Sequence, residues 1–150
     1  MKKIIFSILA LSLIAGSISG QKTIDIEKEK EAIKQVVQAA LDAIKAKSYD
    51  AEVATWAHGP YIVRQGIVGW DNVSVFYQGI FKEWNDKPEN YQWKVFTASN
   101  FDIYINGNFA SVFHDEHWED IYEGEEGTID SRIHKYLEKI EGKWKVITLF

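Results

Sequence analysis

Hydrophobic positions in this chain change period near residue 90: before it they recur at three and four, after it they alternate. Ile26, Ile33, Val36, Val37, Ala40, Leu41 and Ile44 place one apolar stripe on a helix from about Asp25 to Lys47. Glu27, Glu29 and Glu31 crowd its start, with Lys45 and Lys47 at its end, where each charge opposes the helix dipole favourably. A short second helix, Asp50 to Ala57, turns Val53 and Trp56 inward with Asp50 as its N-cap. Val73, Phe76, Tyr77, Ile80, Phe81 and Trp84 mark a third helix capped by Asp71, against whose first turn Trp70 staples.

Between these helices, Tyr61 to Arg64 and Ile67-Val68 read as a small hairpin across Gln65-Gly66. From Trp93 to Phe150 the alternating runs fold back at Asn106-Gly107, around Gly124 to Gly127, and at Glu141-Gly142. A sheet of this length must bury one face, and the earlier helices are what it can bury it on. The fold class is α+β: a cone-shaped, curved antiparallel sheet packed on a long N-terminal helix and two shorter ones.

The 150 residues fit one domain, and 46% hydrophobic with 14% aromatic content is enough for a core. A net charge of −5 without a basic patch removes the electrostatic term a nucleic-acid partner needs. With no cysteine, disulfides, thiol catalysis and Cys-based zinc sites are excluded. Lys2 and Lys3, the apolar run Ile4 to Ala15 and the small residues Gly16 to Gly20 form the pattern of an export signal over residues 1–20, with cleavage near Gly20. An uncleaved anchor is the alternative, but a spanning helix needs about 20 apolar residues. The expectation is an exported chain, periplasmic or secreted and without membrane contact after cleavage, whose domain covers residues 21–150.

The segment Ala46-Lys47-Ser48-Tyr49-Asp50-Ala51-Glu52, the Gly69-Trp70-Asp71 entry to the third helix, the turn within Asp102 to Ala110 and Glu141-Gly142-Lys143-Trp144 together resemble the nuclear-transport-factor-2-like superfamily. The likeness extends to its SnoaL-like members and to the association domain of calcium/calmodulin-dependent kinase II. These motifs specify turns and packing, so the resemblance implies a fold more strongly than an activity. It implies a pocket between the concave face and the helices, and pairing of two copies through the outer face. Isomerases of this superfamily carry a general-base carboxylate on the first small strand. Arg64 stands there in this chain, and an arginine cannot abstract a proton at neutral pH.

A two-residue turn at Glu141-Gly142 faces Leu137 with Val146, Lys135 with Thr148 and Ile133 with Phe150 on the core side. Lys135 then points into the cup, where the kinase association domain has an inward arginine; it either meets an anion there or snorkels to the rim. Arg132, His134, Tyr136, Ile147 and Leu149 form an outward stripe suited to a homodimer interface. At Asn106-Gly107, a three-residue loop collects Val95, Phe101, Ile103, Phe109 and Phe113 inside and carries Asp115 and His117 with them. A two-residue turn would instead bring His114, Glu116 and Trp118 inward, because a slip of one residue reverses the faces. The three-residue reading is preferred.

His114-Asp115-Glu116-His117 does not make a metal site on a strand, since residues three apart point to opposite faces. Asp115 and His117 share a face and are the candidate acid/base pair, weighed against a satisfied polar patch. The candidate ligand-binding set is Trp56, His58, Tyr61, Arg64, Trp84, Phe113, Asp115, His117 and Lys135. His58 has the alternative of capping the second helix, and the aromatics that of being core. No cofactor fingerprint is present. The expected function is an exported small-molecule-binding domain for an anionic or polar-aromatic ligand. The alternatives are a hydrolase, dehydratase or isomerase using Asp115 and His117, or a dimerisation scaffold.

Overall fold

A computed structural model describes residues 25–150; the export signal expected over residues 1–20 lies outside the described residues. In order come α1 (Ile26–Lys45), α2 (Tyr49–Thr55), β1 (Val63–Arg64), β2 (Ile67–Val68), α3 (Trp70–Asp86), β3 (Tyr91–Asn106), β4 (Phe109–Tyr122), β5 (Glu125–Ile140) and β6 (Lys143–Leu149).

Asp25 caps α1, its side chain accepting from the Lys28 amide at 3.2 Å. The helix stops where Lys47 takes a left-handed φ of 51°, letting the Ser48 and Lys47 amides return to the Ala43 and Ile44 carbonyls. The Lys47 ammonium donates onward to the carbonyls of Trp84 and Pro88, tying this corner to the end of α3. Ser48, not Asp50, then caps α2: its hydroxyl accepts from the Ala51 amide, and the helix begins one residue earlier than expected. Likewise Gly69, not Asp71, precedes α3. Its φ of +85° makes the sharp entry, and Trp70 becomes the first helical residue. Instead of stapling the helix, Trp70 stacks on His58 at 4.1 Å.

The strands form one sheet in the order β2-β1-β6-β5-β4-β3. β3 to β6 make an antiparallel meander, while β1 joins the free edge of β6 in parallel, so the sheet is mixed. α1 packs on both β3 and β6, strands separated in the sheet by β4 and β5, and therefore lies across its concave side. Ile33 and Val37 of α1 cluster with Val73, Tyr77 and Phe81 of α3 and the inward residues Val112, Leu137 and Val146. Each such aliphatic side chain, almost fully removed from water, contributes about 1.5–3 kcal/mol.

Of three register slips in the sheet, beside Trp93, Asn100 and Tyr136, the last two decide which side chains face the hollow. Asn106 pairs with Phe109, leaving a two-residue Gly107-Asn108 turn with Gly107 at φ +59°. The preferred three-residue loop is therefore incorrect. Phe101 and Ile103 still point inward because the register slips by one between Ser99 and Asp102, where Asn100 has a φ of +50°. This bulge reconciles the apolar alternation of β3 with a β4 of opposite parity. The slip in the β5–β6 pair, beside Tyr136, sets Lys135 against Leu149 and Tyr136 against Thr148. Leu149 consequently turns inward beside Lys135, and the outward stripe loses it.

Candidate functional site

The concave face and the helices enclose a hollow of about 90 Å³. Leu41, Trp56, Trp118 and Val146 supply apolar wall, and Glu52, Arg64, Tyr77, Glu116 and Lys135 reach it from different elements. α2 delivers Glu52, and Trp56 is its extended C-cap residue; β1 delivers Arg64 because its parallel pairing sets Arg64 opposite Leu149. β4, in its observed register, directs His114, Glu116 and Trp118 to the same side.

Glu116 is the centre of the hydrogen bonding. It accepts from His114 Nε2 at 2.8 Å, Lys135 Nζ at 3.1 Å and Trp118 Nε1 at 3.2 Å. Burial alone would raise its carboxyl, but the His114 hydrogen bond and the Lys135 ammonium outweigh burial and hold it at about 2. Burial pushes the His114 imidazole below its ordinary value. The neutral ring must therefore carry its proton on Nε2, facing the ionised Glu116, and Nδ1 is left buried without a partner. Phe101 stacks on this ring at 5.3 Å.

Glu52 is in a different situation. It is 2% exposed, and its Oε1 accepts from Trp56 Nε1 at 3.0 Å while Oε2 has no partner. Burial drives the carboxyl upward, toward the neutral acid, against the Trp56 hydrogen bond, the adjacent Tyr77 hydroxyl and the nearby positive charges of Lys135 and Arg64. The Arg64 guanidinium lies over the rings of Phe76 at 4.1 Å and Tyr77 at 5.1 Å. Its Nη1 donates to Gln65, and its Nε is buried and unpartnered. Tyr77 is pushed up by burial and by the adjacent Glu52, so its hydroxyl stays protonated.

Three residues of the expected ligand set meet at this hollow: Trp56, Arg64 and Lys135. The others lie elsewhere. His58 is exposed and meets the Val53 carbonyl at 3.1 Å, at the end of α2. Tyr61 is half exposed and donates to Glu138. Trp84 packs in an aromatic cluster with Phe81, Tyr91 and Trp93. Phe113 stacks on His134 on the convex side at 4.0 Å. Asp115 and His117 also face outward and do not bond each other: Asp115 is held by Asn100 and Arg132, His117 by Asp130 and Glu119. The acid/base geometry expected of that pair is therefore absent. Glu52, Tyr77, His114, Glu116 and Trp118 went unassigned. The alternation His114/Glu116/Trp118 is the signal for three of them, in the register of the two-residue turn.

No family model matches the chain, and no curated protein matches it. Solved structures do. A superfamily protein of Salmonella enterica named for nuclear transport factor 2 superposes with a TM-score of 0.65 at 16% identity, covering 83% of this chain and 89% of that one. A protein of unknown function from Shewanella oneidensis gives 0.60 at 18%, covering 81% and 96%. A proposed aromatic ring hydroxylase of Novosphingobium aromaticivorans gives 0.66 at 17%, covering 82% and 87%. The chain has the nuclear-transport-factor-2-like fold, as its turn motifs led us to expect. Identities this low speak to fold alone.

Proposed function

We propose that this chain is an exported domain that holds a small anion inside its cone. The observation that carries the reading is the pair of buried polar atoms at the hollow, Glu52 Oε2 and Arg64 Nε, with no protein partner. Leaving such a group unsatisfied costs about 1–3 kcal/mol, which a bound ligand or water removes. Lys135 already neutralises Glu116, and Arg64 has no carboxylate within ion-pair distance among the described residues. An anion is its electrostatic complement. A space of 90 Å³ holds about three waters and is well under the roughly 300 Å³ of drug-sized pockets. Size thus favours a carboxylate of a few non-hydrogen atoms over an aromatic molecule. Export rests on the Lys2-Lys3 start and the apolar run that follows.

The test is thermal unfolding with acetate, lactate or pyruvate against chloride at equal ionic strength. Saturation at a hundred times Kd adds about 2.7 kcal/mol, a midpoint rise of about 5–11 °C for a domain of this size. The rise should disappear in Arg64→Met. No carboxylate-specific shift would defeat the reading.

We also propose that two copies pair through the convex face. Tyr104, Phe109 and Tyr136 are exposed there beside Arg132, His134 and Ile147, a composition common in interface cores. Tyr136→Glu should halve the mass measured by light scattering; a monomeric parent protein would end the proposal.

A further inference from the structure

A larger concavity lies outside the cone, between α1, α2 and the β5–β6 turn. It encloses about 760 Å³ and shares no lining residue with the inner hollow. Its depth comes from small side chains: Ala32, Val36 and Ala39 on α1 and Ala51 and Ala54 on α2, with Trp144 as an aromatic wall. Ala39, Ala51 and Ala54 are exposed. Larger residues at these positions would fill the groove.

Its rim has the opposite sign to the chain as a whole. Lys28, Lys139, Lys143 and Lys145 border it, with Glu29 the one acidic residue in the lining. Glu29 is already neutralised, accepting from Lys139 Nζ at 2.6 Å and Trp144 Nε1 at 2.7 Å. Lys145 donates to the Ala54 carbonyl and so links β6 to α2 across the groove. Lys28 and Lys143 have no ion pair among the described residues. An apolar trough with surplus cations at its border, on a protein of net charge −5, calls for an occupant with an alkyl body and an anionic head.

Size separates the classes of occupant. The volume falls within the roughly 300–1,000 Å³ of small-molecule sites, whereas a stable protein partner would need about 800 Å² from each side. From Lys28 to Ala39 the α1 wall runs for about 16 Å, the extended length of roughly a dozen methylenes.

We propose that this groove binds a free medium-chain fatty-acid anion as a monomer, its chain along Ala32, Val36, Ala39 and Ala54 and its carboxylate at Lys28 and Lys143. The burial of the chain gives affinity, and the lysines give orientation and on-rate.

The experiment is calorimetric titration of the purified protein with laurate below its critical micelle concentration. Dodecyltrimethylammonium and phosphatidylglycerol vesicles are titrated in parallel. Saturable laurate binding at one site should vanish in Ala54→Phe and Ala51→Leu, both exposed positions whose variants can be checked for native circular dichroism. It should weaken on the order of tenfold in Lys143→Glu. Lys82→Glu, on the exposed side of α3, should leave it unchanged. No saturable laurate binding overturns the proposal, as does equal affinity for the cationic amphiphile. Binding that survives Ala54→Phe, or vesicle association without monomer uptake, also overturns it.

Discussion

Replacing Glu116 by glutamine tests the account of the inner hollow most directly. Glutamine keeps the shape of the side chain and stands in for the protonated acid, so the variant lacks whatever the ionised form contributes. The drop from the ordinary value of 4.5 to about 2 converts to about 3 kcal/mol at neutral pH. A folded value below the unfolded one means the contribution is complete above about pH 4.5 and is lost as pH falls toward 2. Urea unfolding of both proteins should therefore show the variant about 3 kcal/mol less stable at pH 7, with the deficit about 2 kcal/mol smaller at pH 3. Other carboxylates titrate in both proteins and largely cancel in the difference. A second arm checks the cause. Lys135→Met leaves Glu116 charged with only the His114 and Trp118 donors, at a cost of about 3–5 kcal/mol, while the double variant recovers most of it. A pH-independent deficit, or additive single losses, would show that Glu116 is not held ionised by Lys135 and His114.

Glu52→Gln has the opposite sign: burial raises the folded carboxyl, so the natural protein loses stability as pH climbs past 4.5, and the variant should be the more stable of the two at pH 7 and equal to it in acid. At the β5–β6 turn both Glu141 and Gly142 have positive φ, 50° and 79°. Glu141→Asn suits that turn and should raise the urea midpoint by an amount equivalent to about 0.5–1 kcal/mol. His117→Ala, on an exposed convex site, should leave both the unfolding midpoint and anion-dependent stabilisation unchanged, and a loss of the latter would return His117 to the ligand site.

The fold was legible because its signals are local. The stripe Ile33, Val37, Leu41 and the turns at Gln65-Gly66 and Glu141-Gly142 each need only a few neighbouring residues to be read, and all appear as expected. The site depends on parity along strands of up to 16 residues, where one bulge reverses everything beyond it. Grouping Val95 with Phe101 and Ile103 required an unbroken β3, and the bulge at Asn100 removes that requirement. Lys135 was read as inward because it lies within a few residues of the Glu141-Gly142 turn. Leu149 was misread because the β6 slip falls between it and that turn. Glu52 gave no signal of its own: an acidic residue in the first turn of a helix ordinarily faces water.

The contrast between Glu52 and Glu116 bears on what the hollow is for. Glu116 has three donors and Glu52 one, yet both are almost fully buried. A core built for stability alone would do better with apolar residues of similar volume at Glu52 and Arg64 and at both members of the Lys135–Glu116 pair, since replacing a whole buried ion pair this way is often neutral or stabilising by about 1–4 kcal/mol. A pure scaffold would gain by filling this space, and a solvent-filled gap would need no arginine laid over Phe76 and Tyr77. The Lys135–Glu116 pair is internally complete and serves to hold the wall. Glu52 and Arg64 are incomplete, both lining the same 90 Å³, and what completes both must accept from a guanidinium and tolerate a carboxyl beside it. A small carboxylate does so when Glu52 is protonated and donates to it. Stability given up at Glu52 and anion affinity gained at Arg64 are thus two readings of one arrangement. Glu52→Gln should accordingly raise stability while changing carboxylate affinity, and a variant that raised stability with affinity untouched would detach Glu52 from the site.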